Sequence, residues 1–220
     1  MLTLTDAEVR GPRGTVFGPL TAQSDDPITV VIGGRGNGRT SMLLTLGGRM
    51  RLSDGELELD DRTSPGKLRL LRKATGLVGF EGIDELEPSV TVGAIVRERL
   101  SWALPWYRRA PRITDERLAE MLAPAFGDLP MPGARTLVRD LTQAQDRLLR
   151  IALALIEQPS VLLVDDFDEL RDPADRRLVA GRLTALAERG IRSVVVTADE
   201  RDLELFGLAE AQIHLDNQQR

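Results

Sequence analysis

Cysteine is absent from the 220 residues, and histidine occurs once, at His214. Disulfides, thiolate metal sites, a cysteine nucleophile, multi-histidine metal sites and any histidine relay elsewhere in the chain are therefore excluded. His214 itself reads as a structural residue. Aromatic residues make up only 4% of the chain, and lysine occurs only at Lys67 and Lys73, so the rest of the 29 basic residues are arginine. We read that bias, with the richness in alanine, as genome base composition rather than mechanism. No apolar run approaches the ~20 residues needed to cross a bilayer, so the chain is not expected to span a membrane. Residues 1–10 carry Asp6 and Glu8 and lack a cationic start followed by an apolar stretch, so no secretory signal is expected. The formal net charge is −5, which argues against a general nucleic-acid binder. A hydrophobic content of 42% at this length suits one globular domain with room for an inserted subdomain.

Leu2 to Val9 alternates apolar and polar residues and predicts a half-buried strand, with a turn at Arg10–Gly14 and a second strand over Thr15–Leu20. Ile28–Ile32 is short, β-branched and almost wholly apolar, the pattern of a strand buried on both faces of a parallel sheet. Glycines follow at once, and Arg39–Leu46 then predicts a helix ended by Gly47 and Gly48. Residues 49–80 read as strands with turns at Ser53-Asp54-Gly55 and Ser64-Pro65-Gly66. From about Glu85 to Asp140, helical patterns at Val92–Ala103 and Thr114–Ala125 are broken by Pro105, Pro111, Pro124, Pro130 and Pro132, which predicts an inserted helical subdomain. A helix over Thr142–Glu157, a buried strand at Val161–Val164, a helix opened by Asp172 and Pro173, and strands at Ile191–Thr197 and Ala211–Leu215 complete the pattern. Strands alternating with helices imply an α/β fold with a largely parallel core sheet. No internal repeat or low-complexity tract is present.

The glycine loop carries the first chemical signal. Gly33, Gly36, Asn37, Gly38, Arg39, Thr40 and Ser41 nearly fit the Walker A phosphate loop, anchored on Gly33 and Gly38. Such glycines let successive backbone N–H groups face phosphate oxygens, and the following helix adds positive potential. Thr40 is placed to give its hydroxyl to Mg²⁺. Arg39 stands where the motif has lysine, and its broad planar guanidinium does not nestle between phosphate oxygens as an ammonium does. The plainer reading of the loop is a glycine turn between strand and helix.

With the second half included, the sequence resembles the ATP-binding cassette (ABC) ATPase domain over essentially its whole length. Leu141-Thr142-Gln143-Ala144-Gln145 sits where that family carries Leu-Ser-Gly-Gly-Gln, and Asp165 follows Leu141 by 24 positions, the family's usual interval. The stretch Arg150–Asp166 follows the family's pattern through Walker B, and Asp172 takes the place of the D-loop aspartate. The resemblance implies a P-loop NTPase fold with an N-terminal antiparallel β region, residues 1–84 and 141–220 forming the ATPase core and about 85–140 the helical subdomain. It also implies ATP and Mg²⁺ as cofactors, with Asp165 holding the ion through water. Two such domains pair head to tail, as homodimer or heterodimer, and Thr142 and Gln145 then meet the nucleotide held by the other domain. A membrane permease would be the partner, which would place the chain in the cytoplasm at the inner membrane face, with no nucleic acid involved.

Several positions depart from the family pattern. Asp166 replaces the catalytic glutamate and draws its carboxylate back by roughly 1.5 Å, enough to misplace a base that must touch the attacking water. Ala198 replaces the switch histidine, and Glu81 replaces the Q-loop glutamine. The adenine-stacking aromatic is missing, and Arg13 lies near its place with a plane able to stack. Gln143 and Ala144 bring β-carbons where the signature's backbone approaches phosphate. Thr142 and Gln145 also spell a capping box, which starts a helix with or without nucleotide.

Three functions stay open: a subunit that binds Mg-ATP and hydrolyses it weakly, a working ATPase, or a pseudo-ATPase scaffold that keeps the fold without the nucleotide. Loss of side chains at the γ-phosphate end, with retention of the loop glycines, Thr40 and Asp165, favours the first. Trp102, Trp106 and Tyr107 cluster in the helical region. Packing of that subdomain's small core is the preferred reading, and a docking surface for a membrane partner is the other. Arg108 and Arg109 read as a solvated pair or as facing an acidic partner loop. Beyond Asp165, the acidic run Asp166–Glu169 reads as loop charge.

Overall fold

Two strand patterns produce two sheets. A computed structural model describes residues 1–60, 62–64 and 67–215. Strands β1 (Leu2–Gly11), β2 (Gly14–Ser24), β4 (Asp54–Leu59) and β5 (Arg62–Ser64) form an antiparallel sheet in the order β2-β1-β4-β5. The alternation in β1 changes phase between Leu4 and Ala7, and the structure absorbs the change as a bulge at Asp6, whose φ is 47°. Leu2, Leu4, Ala7 and Val9 all reach the core as a result.

The second sheet is parallel throughout, in the order β6-β7-β8-β3-β9, from β3 (Ile28–Gly33), β6 (Thr75–Val78), β7 (Val161–Val164), β8 (Arg192–Thr197) and β9 (Ile213–Leu215). Every residue of β3 and β7 is buried. Successive side chains enter different cores. Val30, Ile32, Leu162, Val164 and Val195 pack into the helical layer. Val31, Val161, Leu163, Val194 and Val196 pack against the antiparallel sheet and α1 (Arg39–Leu46). Two cores explain why these strands read as unbroken apolar runs rather than as alternation.

The helical layer contains α3 (Val92–Ala103), α4 (Asp115–Phe126), α5 (Gln143–Leu155) and α6 (Pro173–Glu188), whose apolar faces share one core with the parallel sheet. Thr114 caps α4, and Asp172 caps α6 by accepting from the N–H of Ala174 at 2.8 Å. A short helix, α7 (Asp202–Leu205), precedes β9. Among the described residues no helix is long and apolar enough to cross a membrane.

Three expectations need correction. Leu68–Ala74 is a helix, α2, rather than a strand: Leu71 and Ala74, three apart, share its buried side. Asp54 and Gly55 open β4 instead of completing a turn. Pro124 does not break its helix, because it falls in the last turn of α4, where the missing N–H removes a single bond. Of the second expected turn, Pro65 and Gly66 lie outside the described residues.

Candidate functional site

The site lies at the carboxyl ends of β3, β7 and β8, the usual ligand edge of an open parallel sheet. Gly38, just ahead of α1, has φ 78°, and a β-carbon there would overlap the carbonyl oxygen of Val16. Asn37 donates its side-chain amide to the carbonyl of Leu215 at 2.9 Å, pinning the loop to β9. Helix α1 has neither a side-chain cap nor an acidic residue in its first turn, which leaves its N-terminal N–H groups open to an anion. Val16, Arg35, Gly36, Gly38, Arg39, Thr40 and Ser41 line an open cleft of about 400 Å³, together with Glu81, Asp166 and Glu169.

Arg39 is 5% exposed. Its Nη2 donates to Asp166 Oδ1 at 2.6 Å, and its Nη1 donates to Asp168 Oδ1 and to the Gly33 carbonyl, each at 3.2 Å. Asp168 Oδ1 also accepts the N–H of Ala198 at 3.2 Å. One guanidinium thus ties the phosphate loop, the end of β7 and the end of β8 together. Asp166 sits in the left-handed region, φ 44° and ψ 51°, which aspartate tolerates better than most residues.

Asp165 is 1% exposed. Its Oδ1 accepts the N–H of Asp166 at 3.0 Å, while Oδ2 is buried without a partner among the described residues. Burial pushes its pKa up, against the pull of the Thr40 hydroxyl beside it and of Arg39. A buried carboxylate oxygen with no donor, next to a hydroxyl, suits a hard cation. Among the described residues no cluster of three or more acidic or histidine side chains could hold a metal unaided.

Behind the site stands Arg147 of α5. It donates to the carbonyls of Asp165 at 2.8 Å and Asp166 at 3.2 Å, and burial lowers its pKa. Gly79 leaves room for it, since a β-carbon there would overlap the guanidinium. Asp84 accepts the N–H groups of Gly79 and Phe80 at 2.7 and 2.6 Å and sets the turn that exposes Glu81. Burial raises the pKa of Asp84, against those two N–H groups and Arg150. On the β8 side, Arg176 bridges Asp199 at 2.7 Å and Asp202 at 3.0 Å. The pKa of Asp199 is driven far down by Arg201, which donates to both its oxygens, and by Arg176, which donates to Oδ2.

The remaining expected residues lie elsewhere. Thr142 and Gln145 form a complete capping box on α5, at 3.1 Å in each direction, and Gln143 accepts the N–H of Arg171. Thr142 and Gln143 border a neighbouring cleft of about 450 Å³, shared with Gly79, Glu81 and Arg147. Arg13 is exposed at the β1–β2 turn, and Val16 rather than Arg13 lines the phosphate cleft. The acidic run is more than loop charge, because Asp168 receives Arg39 and Ala198. The sequence reading missed Asp168, Arg147 and Arg176. Asp168 lies two positions from Asp166, and Arg147 interrupts the apolar face of α5, which was the available signal.

The model of the family described as ABC transporter matches residues 22–168. The Nod factor export ATP-binding protein I of Rhizobium johnstonii is 29% identical over 168 residues, 76% of this chain and 50% of that protein. The chain thus spans about half the length of that relative. The glutamate transport ATP-binding protein GluA of Corynebacterium glutamicum is 27% identical over 197 residues, covering 88% of this chain and 73% of that one. Among solved structures, the dimeric post-hydrolysis state of the ATP-binding cassette MJ0796 bound to ADP and Pi aligns with a TM-score of 0.70 and 23% identity. It covers 93% of this chain and 91% of the other, a likeness of fold.

Proposed function

This chain belongs to the ABC transporter family, and from that premise we propose that it is an ATP-binding subunit with weak or partner-dependent hydrolysis, coupled to a membrane permease. In that role it works in the cytoplasm, held at the inner face of the membrane by the permease. It pairs head to tail with a second ABC ATPase domain, either a copy or a different one. The observation that carries this reading is the ion pair between Arg39 and Asp166. A carboxylate that acts as base must face the attacking water. Asp166 is one methylene short of the usual glutamate and is engaged by a buried guanidinium. Arg39, in turn, directs both Nη atoms to Gly33, Asp166 and Asp168. The backbone floor of the cleft does not depend on these side chains and still offers N–H groups to phosphates.

Thr40 and Asp165 are the residues that would hold Mg²⁺, which when bound neutralises phosphate charge. The unpartnered Asp165 Oδ2 supports that assignment. A second reading, the pseudo-ATPase scaffold, draws on the three carboxylates of Glu81, Asp166 and Glu169 that line the cleft and oppose a polyphosphate.

Calorimetric titration with Mg-ATP of the wild type and of Gly38→Asp separates the two. Nucleotide binding predicts a saturable signal in the wild type and none in the variant, with circular dichroism confirming that both fold. A wild type silent at millimolar Mg-ATP, alone and with its partner domain, leaves the scaffold reading.

A further inference from the structure

The connection between α3 and α4, residues 104–114, carries a surface that the nucleotide chemistry does not use. Trp102 is 66% exposed, Trp106 95% and Tyr107 69%. Their expected packing into a subdomain core is therefore corrected: they face outward. The residues that do pack are Ala110 and Ile113, both buried, with Arg97 donating to the Ala110 carbonyl at 3.4 Å. The turn closed by Arg108 N–H on the Pro105 carbonyl at 2.8 Å is thus presented on an anchored segment. Trp106 and Tyr107 meet edge to face with ring centroids 5.9 Å apart, so the pair forms one protruding aromatic unit.

Along the chain, the charge flanking Trp106 and Tyr107 has one sign. Between Arg99 and Asp115 there is no acidic residue, on a chain whose net charge is −5. Arg108, Arg109 and Arg112 are exposed and enter no ion pair among the described residues. Arg99 is spoken for, since it pairs with Glu157 and lies 5.8 Å over the Trp102 ring. Trp102 instead lines a cleft with Asp84, Glu85, Glu87 and Glu98, which no residue from Pro105 to Arg109 enters. A nearly fully exposed tryptophan on an anchored turn, beside arginines without ion pairs among the described residues, suits a soft anionic surface: amphipathic rings settle at headgroup depth while the cations meet lipid phosphates.

We infer that the segment from Trp106 to Arg112 is a membrane-surface contact that binds anionic phospholipid headgroups, independently of nucleotide and of any permease. Trp102 and Trp106 are the chain's only tryptophans, so its own fluorescence reports the contact. Vesicles of phosphatidylcholine enriched in phosphatidylglycerol should co-sediment the protein and shift its emission to the blue. Phosphatidylcholine vesicles should do neither, and raised salt should reverse the effect. At about fivefold per surface cation, the Arg108→Glu and Arg109→Glu double variant should lower partitioning by at least ~25-fold. The Trp106→Ser and Tyr107→Ser double variant should abolish co-sedimentation. All four side chains are exposed, so urea midpoints should stay at the wild-type value. Absence of any response to phosphatidylglycerol overturns the inference, as does binding that both double variants leave intact. An emission shift caused only by a solubilised permease, with none from vesicles, overturns it in favour of a protein partner.

Discussion

The floor of the phosphate cleft and its far wall are built on different principles. At the floor, the loop from Gly33 to Gly38 and the open N-terminus of α1 offer backbone N–H groups, and their geometry is enforced by close packing of Gly38 on Val16 and by the bond from Asn37 to Leu215. The wall consists of side chains, and those side chains bind one another: Arg39 holds Asp166 and Asp168, and Asp168 holds Ala198. Backbone chemistry survives almost any substitution that keeps the glycines. Side-chain chemistry is lost with a single methylene or a single ring. On the function proposed above, the floor would keep its grip on nucleotide while the wall is engaged with itself.

Substitutions can break that contrast, and the largest effect should come from restoring the wall. The Arg39→Lys, Asp166→Glu, Ala198→His variant should release phosphate about 10³-fold faster than the wild type, with Mg-ATP affinity changing far less. Phosphate release measured over time checks this, and unchanged turnover would remove the wall as the explanation. Next comes Arg147→Met, which strips donors from the buried carbonyls of Asp165 and Asp166 and should cost about 3 kcal/mol in urea unfolding. Asp168→Ala should cost about 2 kcal/mol by the same measurement, because Arg39 keeps Asp166 and the Gly33 carbonyl.

The smallest effect is in pH. The pKa of Asp165 is raised by burial, so its folded pKa lies above the unfolded one. Its contribution to the stability of the nucleotide-free fold is present at low pH and is lost as pH rises through the raised value. Mg²⁺ needs the ionised form, so the Mg²⁺-dependent part of nucleotide affinity should run the other way and fall with falling pH. One proton limits either slope to about 1.4 kcal/mol per pH unit. Urea unfolding without nucleotide as a function of pH reads the first sign, nucleotide titrations with and without Mg²⁺ read the second, and Asp165→Asn should flatten both.

Elements whose signals are local were legible in the sequence. Arg39–Leu46 and Val92–Ala103 match the helices end to end, as glycines, prolines and periodicity dictate. The capping box at Thr142 and the Asp172–Pro173 helix start needed no tertiary information. Leu68–Ala74 was misread because seven residues give too little period to separate helix from strand. The glycine loop could be named in advance because a backbone cradle leaves a spacing in the sequence, and Asp165 through the resemblance to the family's Walker B stretch. The roles of Asp168, Arg147 and Arg176 could not, because each joins positions far apart in the chain or bonds to carbonyls that every residue possesses. The outward turn of Trp106 escaped for a related reason. Composition says that an aromatic residue is present, whereas the burial of Ala110 and Ile113 decides which way the segment faces.

The most direct test of the contrast between floor and wall is to follow Mg-ATP binding and phosphate release on the same wild-type sample. Saturable binding with phosphate release about 10³-fold slower than in the Arg39→Lys, Asp166→Glu, Ala198→His variant is the expected result. Absence of binding, or release as fast as in that variant, would contradict it.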